Sequence, residues 1–167
     1  MTMTHYMELL ATNQPWNLIL FMAIPVILAE TIAITELYIL FTKKLEGKIR
    51  QINKYSGIIA GIYFIGVFIY LFINAIIPIT SGGEWRGLVD IIAVNTYLLG
   101  VIPLAGMALL ELGLIARKKD DMNKLKLHAI FVGVFLVLAH IAMIAGMLNP
   151  ELFQSSKSDD MNHEMSM

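Results

Sequence analysis

The spacing of apolar and polar positions divides the chain into four long apolar runs, about 16–42, 55–79, 89–116 and 127–148, joined by short polar segments. None alternates every second residue as a barrel strand would. Each exceeds the ~20 residues that a helix rising about 1.5 Å per residue needs to cross a ~30 Å hydrocarbon layer. The pattern predicts an all-α integral membrane protein with four transmembrane helices. The short connections predict an antiparallel, up-down-up-down four-helix bundle. The transmembrane domain is expected over 16–148, with an N-terminal segment at 1–15 and a flexible tail containing Met, His and Asp at 149–167.

Composition strengthens this reading. Of 167 residues, 57% are hydrophobic and only 15% charged, too few to clothe a soluble domain of this size. A net charge of −1 gives no reason to expect nucleic acid as a partner. The absence of cysteine removes disulfides, zinc-thiolate sites and cysteine-ligated iron–sulfur clusters. Residues 1–42 contain no Lys or Arg, so the start lacks the basic region of a cleaved signal and the N-terminus is expected to be retained.

Charge sets the expected orientation. The segment after the first run carries Lys43, Lys44, Lys48, Arg50 and Lys54, and the one after the third carries Arg117, Lys118, Lys119, Lys124 and Lys126. These are ten of the twelve basic residues. The positive-inside rule therefore places both segments in the cytoplasm and both termini outside an inner membrane. Trp16 and Trp85 then fall at the outer boundary, where indoles are favoured.

The chain also repeats itself. "ELYILFTKK" from Glu36 and "ELGLIARKK" from Glu111 share the pattern E-L-x-[IL]-[IL]-x-x-K-K, and 61–78 can be laid over 133–150. Two helical hairpins repeated in the same orientation are the expectation. Under it Glu36 and Glu111 occupy equivalent depths, about 9 to 10 Å from the first base of the following segment.

The candidate chemistry lies in ionisable side chains inside hydrocarbon, which are costly unless they pair, protonate or face a polar interior. Glu30 and His140 are both about 20 Å from the inner side and are expected to meet as an acid–imidazole pair that shuttles a proton or holds a cation. Glu36 and Glu111, with His128 near the inner boundary, are expected to form a second site that shares a proton or binds a cation. Glu30 and Glu36 lie about 120° apart around their helix, so both face inward only if that helix is well enclosed. Asn74 and Asn95 are expected to bond across helices. Pro25 and Pro103 are expected to kink their spans.

Methionine and histidine also gather at the two ends. "MTMTHYM" contains Met1, Met3, His5 and Met7, and "MNHEMSM" contains Met161, His163, Met165 and Met167. Alternating thioether and imidazole suits Cu(I), so copper or another transition metal is the expected ligand. Met147, Met143 and His140 follow one helical face and extend this set inward. A b haem is the rival cofactor. His128 and His140 share a helix about 18 Å apart and cannot ligate one iron, leaving His140 with Met22 or Met107.

The plan resembles small bacterial four-span inner-membrane proteins labelled permeases, a resemblance of span count alone. The expected function is cation handling, with a proton or transition metal as cargo, through Glu30, His140, Glu36, Glu111 and His128. A homo-oligomer or a membrane partner subunit is expected beside the lipid bilayer, since four helices enclose little room. The alternative is a b-type cytochrome or accessory subunit of a respiratory complex. No nucleotide-binding loop, serine–histidine–acid arrangement or H-E-x-x-H motif is present to suggest a hydrolytic enzyme.

Overall fold

The computed structural model describes residues 3–115 and 120–150. Among them it contains helices and no strands. A short helix, α1 (His5–Ala11), precedes four long ones: α2 (Trp16–Thr42), α3 (Lys48–Gly82), α4 (Leu88–Glu111) and α5 (Asp121–Met147). All four long helices are long and apolar enough to cross a membrane, which suggests a multi-pass membrane protein. Their outward faces agree. Ile34 is 68% exposed, Phe41 84% and Ile144 62%, an apolar girdle that water would not tolerate over such an area.

Packing closes into a ring: α2 lies against α3, α3 against α4, α4 against α5, and α5 back against α2. The core runs along its axis through Ile32, Phe64, Leu104, Met107 and Phe135. Phe64 joins the sides, edge-on to Phe135 with ring centroids 5.4 Å apart and tilted against Tyr97 at 5.3 Å. The closest approach is between α3 and α4. A Cβ on Gly61 would lie 2.4 Å from Ala108 Cβ and 2.5 Å from the Leu104 carbonyl oxygen. Gly61 thus lets the two backbones touch, the small-residue solution to packing where the surroundings are as apolar as the helices, and Gly57, one turn earlier, leaves room for a neighbouring side chain.

Three of the four long helices are interrupted near a proline. A wide π turn, Ile19–Ala23, precedes Pro25, and another, Phe72–Ile76, precedes Pro78. In α4 the break falls at Gly100, three residues before Pro103, where the Gly100 N–H donates back to Tyr97 O at 3.1 Å. Pro25 has no N–H to offer Phe21 O or Leu20 O, the acceptors one α turn and one π turn behind it. Tyrosines on neighbouring helices serve both: Tyr97 OH donates to Phe21 O at 2.5 Å and Tyr63 OH to Leu20 O at 2.9 Å. The proline therefore turns a local defect of α2 into a cross-link to α3 and α4.

The N-terminal segment is not a loose tail over its described part. Thr4 caps α1 by accepting from Met7 N–H, and its hydroxyl donates to Gly146 O at 2.9 Å. Tyr6 and Leu10 are buried. Gly146 makes room for this docking, since a Cβ there would sit 2.8 Å from the Tyr6 ring. Burial pushes the Tyr6 phenol up to about 12, so the ring stays neutral against Tyr97.

Gly61→Ala is expected to cost about 1–3 kcal/mol through overpacking against the α4 backbone. Gly66→Ala, where a Cβ meets nothing within 4 Å, is expected to be neutral or slightly stabilising. Thermal unfolding in detergent, followed by circular dichroism, separates the two. By the same assay Tyr97→Phe is expected to cost about 1–3 kcal/mol by orphaning Phe21 O. Its cost is expected to shrink in a Pro25→Ala background, where the helix regains its own donor.

Candidate functional site

The ionisable groups of the helices collect at three levels. The most enclosed lies toward the end that carries the basic segments. Glu36 of α2 is 2% exposed and His128 of α5 is fully buried. They meet through His128 Nδ1 and Glu36 Oε2 at 2.5 Å. The other imidazole nitrogen, Nε2, faces Glu111 Oε1 of α4 at 3.6 Å, beyond hydrogen-bonding range. Glu111 is held by Arg50 of α3 in a two-pronged pair, with N–O distances of 2.8 and 3.1 Å. Asn53 completes the circuit. Its amide oxygen accepts from Arg50 at 2.9 Å, and its NH2 donates to Glu36 Oε2 and Thr35 Oγ1, each at 3.0 Å.

Local sequence explains how four helices reach this point. Arg50 and Asn53 stand three residues apart on one face of α3, with Gly57 one helical turn and Gly61 two turns beyond Asn53. A Cβ on Gly57 would lie 2.8 Å from His128 Nε2, so this glycine admits the imidazole as Gly61 admits the α4 backbone. Among the described residues, Glu36 Oε1 and His128 Nε2 are buried with no hydrogen-bond partner. Both keep unused hydrogen-bonding capacity, one on each side of the Nδ1–Oε2 contact.

A cleft of about 130 Å³ lies between α2 and α5 near mid-length, lined by Glu30, His140, Met22 and Met143. Glu30 and His140 thus border the same cleft, yet no hydrogen bond or ion pair joins them. His140 Nδ1 is instead 2.6 Å from Leu136 O, one turn back. Helix geometry accounts for the difference: with Glu36 turned to the axis, Glu30 swings about 120° to the exposed flank of α2. Met147 is 69% exposed and does not line the cleft.

The third level is at the opposite end, under α1. Asp90, in the first turn of α4, is fully buried and accepts from the His5 N–H and meets His5 Nδ1, both at 2.6 Å. Arg86 pairs with Glu8 at 2.5 Å and donates to Met3 O. Asp90 also benefits from the positive end of the α4 dipole. A cavity of about 540 Å³ opens beside this cluster. His5 is therefore engaged by Asp90 and stands in a folded helix.

Among the described residues no group of three or more His, Asp or Glu is arranged to hold a metal ion. Met161, His163 and Met165 lie outside the described residues. Asn74 and Asn95 bond their own helices, to Tyr70 O and Ile91 O, rather than crossing to another. Several site residues escaped the sequence reading. Arg50 was counted only as loop charge, because the apolar run starts later than α3 does. Asn53 and Asp90 sit within two residues of the run boundaries, where polar residues look like ordinary helix ends. The usable signal was the inward stripe of Asn53, Gly57, Gly61 and Phe64 on one face of α3.

No curated protein and no solved structure matches the chain. Residues 1–162, nearly its full length, match a family described as of unknown function, and the chain belongs to that family, DUF6803.

Proposed function

We propose that the protein is an inner-membrane cation handler and that the cation at its Glu36–His128–Glu111 cluster is the proton. The observation that carries this reading is an imidazole buried between two carboxylates, with Nδ1 on Glu36 and Nε2 aimed at Glu111. Charge counting supports it. Two carboxylates face one guanidinium, leaving one excess negative charge in a low-dielectric interior, and a single proton on the Glu36–His128 pair neutralises it. A proton taken up at Nε2, which has no hydrogen-bond partner, is balanced by release of the Nδ1 proton to Glu36, whose second oxygen is free, while Glu111 stays ionised against Arg50 and draws the incoming proton toward Nε2. Arg50 already occupies both Glu111 oxygens, which disfavours a metal ion at the same place.

In this reading the four helices cross the membrane alternately, as an antiparallel bundle of two repeated hairpins. The cluster faces the cytoplasmic basic segments, and both termini are outside. Contacts support the alternation: Glu36 lies beside Asn53, whereas Phe21, earlier on α2, stacks on Tyr70, later on α3. The meeting of Glu36 and Glu111, aligned by the repeat, on one histidine supports the duplication. The bundle works as an oligomer or with a membrane partner, which supplies the remaining wall of the path. The rival haem reading has less support, since the His140 cleft of about 130 Å³ is smaller than the roughly 300 Å³ at which cofactor pockets begin.

Purified protein in vesicles loaded with a pH-sensitive dye and driven by a potassium diffusion potential is expected to pass protons. Glu36→Gln is expected to abolish that flux while the helices stay folded. Flux no greater than that of empty vesicles, or undiminished in Glu36→Gln, sinks the proposal. His128→Ala strips a buried carboxylate of its partner and is expected to cost about 3–5 kcal/mol of stability, read by thermal unfolding.

A further inference from the structure

The mid-length cleft is separate from the proton cluster and has a different chemistry. Its four candidate donors come from two helices: Met22 and Glu30 from α2, His140 and Met143 from α5. A carbonyl oxygen only accepts, so the 2.6 Å contact with Leu136 O puts the hydrogen of the His140 ring on Nδ1. Nε2 then carries the lone pair. A backbone carbonyl that fixes the tautomer and the ring in this way is the support that metal-binding histidines usually have. Glu30 is the complementary feature, a carboxylate on an apolar helix that no hydrogen bond or ion pair engages among the described residues.

We propose that this cleft binds one soft monovalent metal ion, Cu(I), through His140 Nε2 and the thioethers of Met22 and Met143, with the Glu30 carboxylate balancing its charge. Thioether and imidazole donors select Cu(I) over hard cations. One positive charge beside one carboxylate leaves the site neutral, which an apolar setting requires, whereas a divalent ion would leave it charged. The small volume suits an ion held directly by side chains rather than an organic ligand. Met143 lies one turn from the exposed Met147, which offers a further thioether between the cleft and the end of α5.

The test is an anaerobic titration of the full-length protein in detergent with Cu(I) against the chromophoric competitor bicinchoninate. A parallel titration uses Ag(I), counted by elemental analysis after desalting. Both use a chain in which the donors of both ends are replaced, Met3→Leu and Met7→Leu with Met161→Leu, His163→Ala, Met165→Leu and Met167→Leu, so that neither end competes with the cleft. One equivalent is expected to remain. Met22→Leu with Met143→Leu, a volume-conserving pair, is expected to weaken it at least about tenfold, as are His140→Ala and Glu30→Gln. X-ray absorption of the bound ion is expected to show sulfur and nitrogen neighbours, the nitrogen disappearing in His140→Ala. A tail-substituted chain that binds no ion overturns the proposal, as does one whose affinity survives the double methionine substitution. Glu36→Gln is expected to leave the titration unchanged. Loss of the ion in that variant would place it in the proton cluster and overturn the cleft assignment, while failure of proton flux alone leaves it standing.

Discussion

A carboxylate with almost no access to solvent is the constraint on which the rest of the bundle depends. Glu36 at 2% exposure must be matched, because an unpaired charge in such surroundings costs several kcal/mol or more. The match recruits every other long helix. α5 supplies His128, α3 supplies Asn53 and Arg50, and α4 supplies Glu111 to hold the Arg50 side chain. Satisfying one acid thereby sets the relative height of four helices. It also dictates small residues elsewhere, since the imidazole fits only over a glycine at position 57.

Toward the other end the bundle is tied by backbone groups as well as by the His5–Asp90 and Arg86–Glu8 pairs. Pro25 disrupts the hydrogen bonding of α2, and hydroxyls of Tyr63 and Tyr97 take up the carbonyls it leaves. The same Tyr97 ring packs on Phe64 and on Tyr6, which links this repair to the docked α1 helix. This network lies within the aromatic part of the core, whereas the Glu36 cluster orders its own end with ion pairs. The cleft bordered by Glu30 and His140 adjoins this second network, with Phe21, Pro25 and Tyr97 among its walls, on the flank where α2 and α5 meet.

How much was legible in the chain differs by level. Four long apolar helices could be read from run length alone, because hydrocarbon thickness sets a minimum that few other structures satisfy. Glu36, Glu111 and His128 could be grouped by depth, because residue count along a helix converts directly into height. Depth does not give azimuth. Counting placed Glu30 level with His140, but rotation about α2 puts Glu30 on the flank while Glu36 takes the axis, and the two side chains border one cleft without bonding. Arg50 and Asn53 were hidden because hydropathy ends a helix where its apolar character ends, and α3 continues through its basic start.

The one-dimensional pattern by itself determined the number of long helices, their apolar surfaces and the levels at which ionisable groups stand, since these depend only on composition and on the rise per residue. Tertiary structure alone decided which face of each helix turns inward. It settled that Arg50 holds Glu111, that His5 is engaged by Asp90, and that tyrosines from two helices repair the break at Pro25. Those choices rest on close packing between segments far apart in the chain, where a glycine, a proline or a 120° rotation decides which polar atoms come within 3 Å of each other.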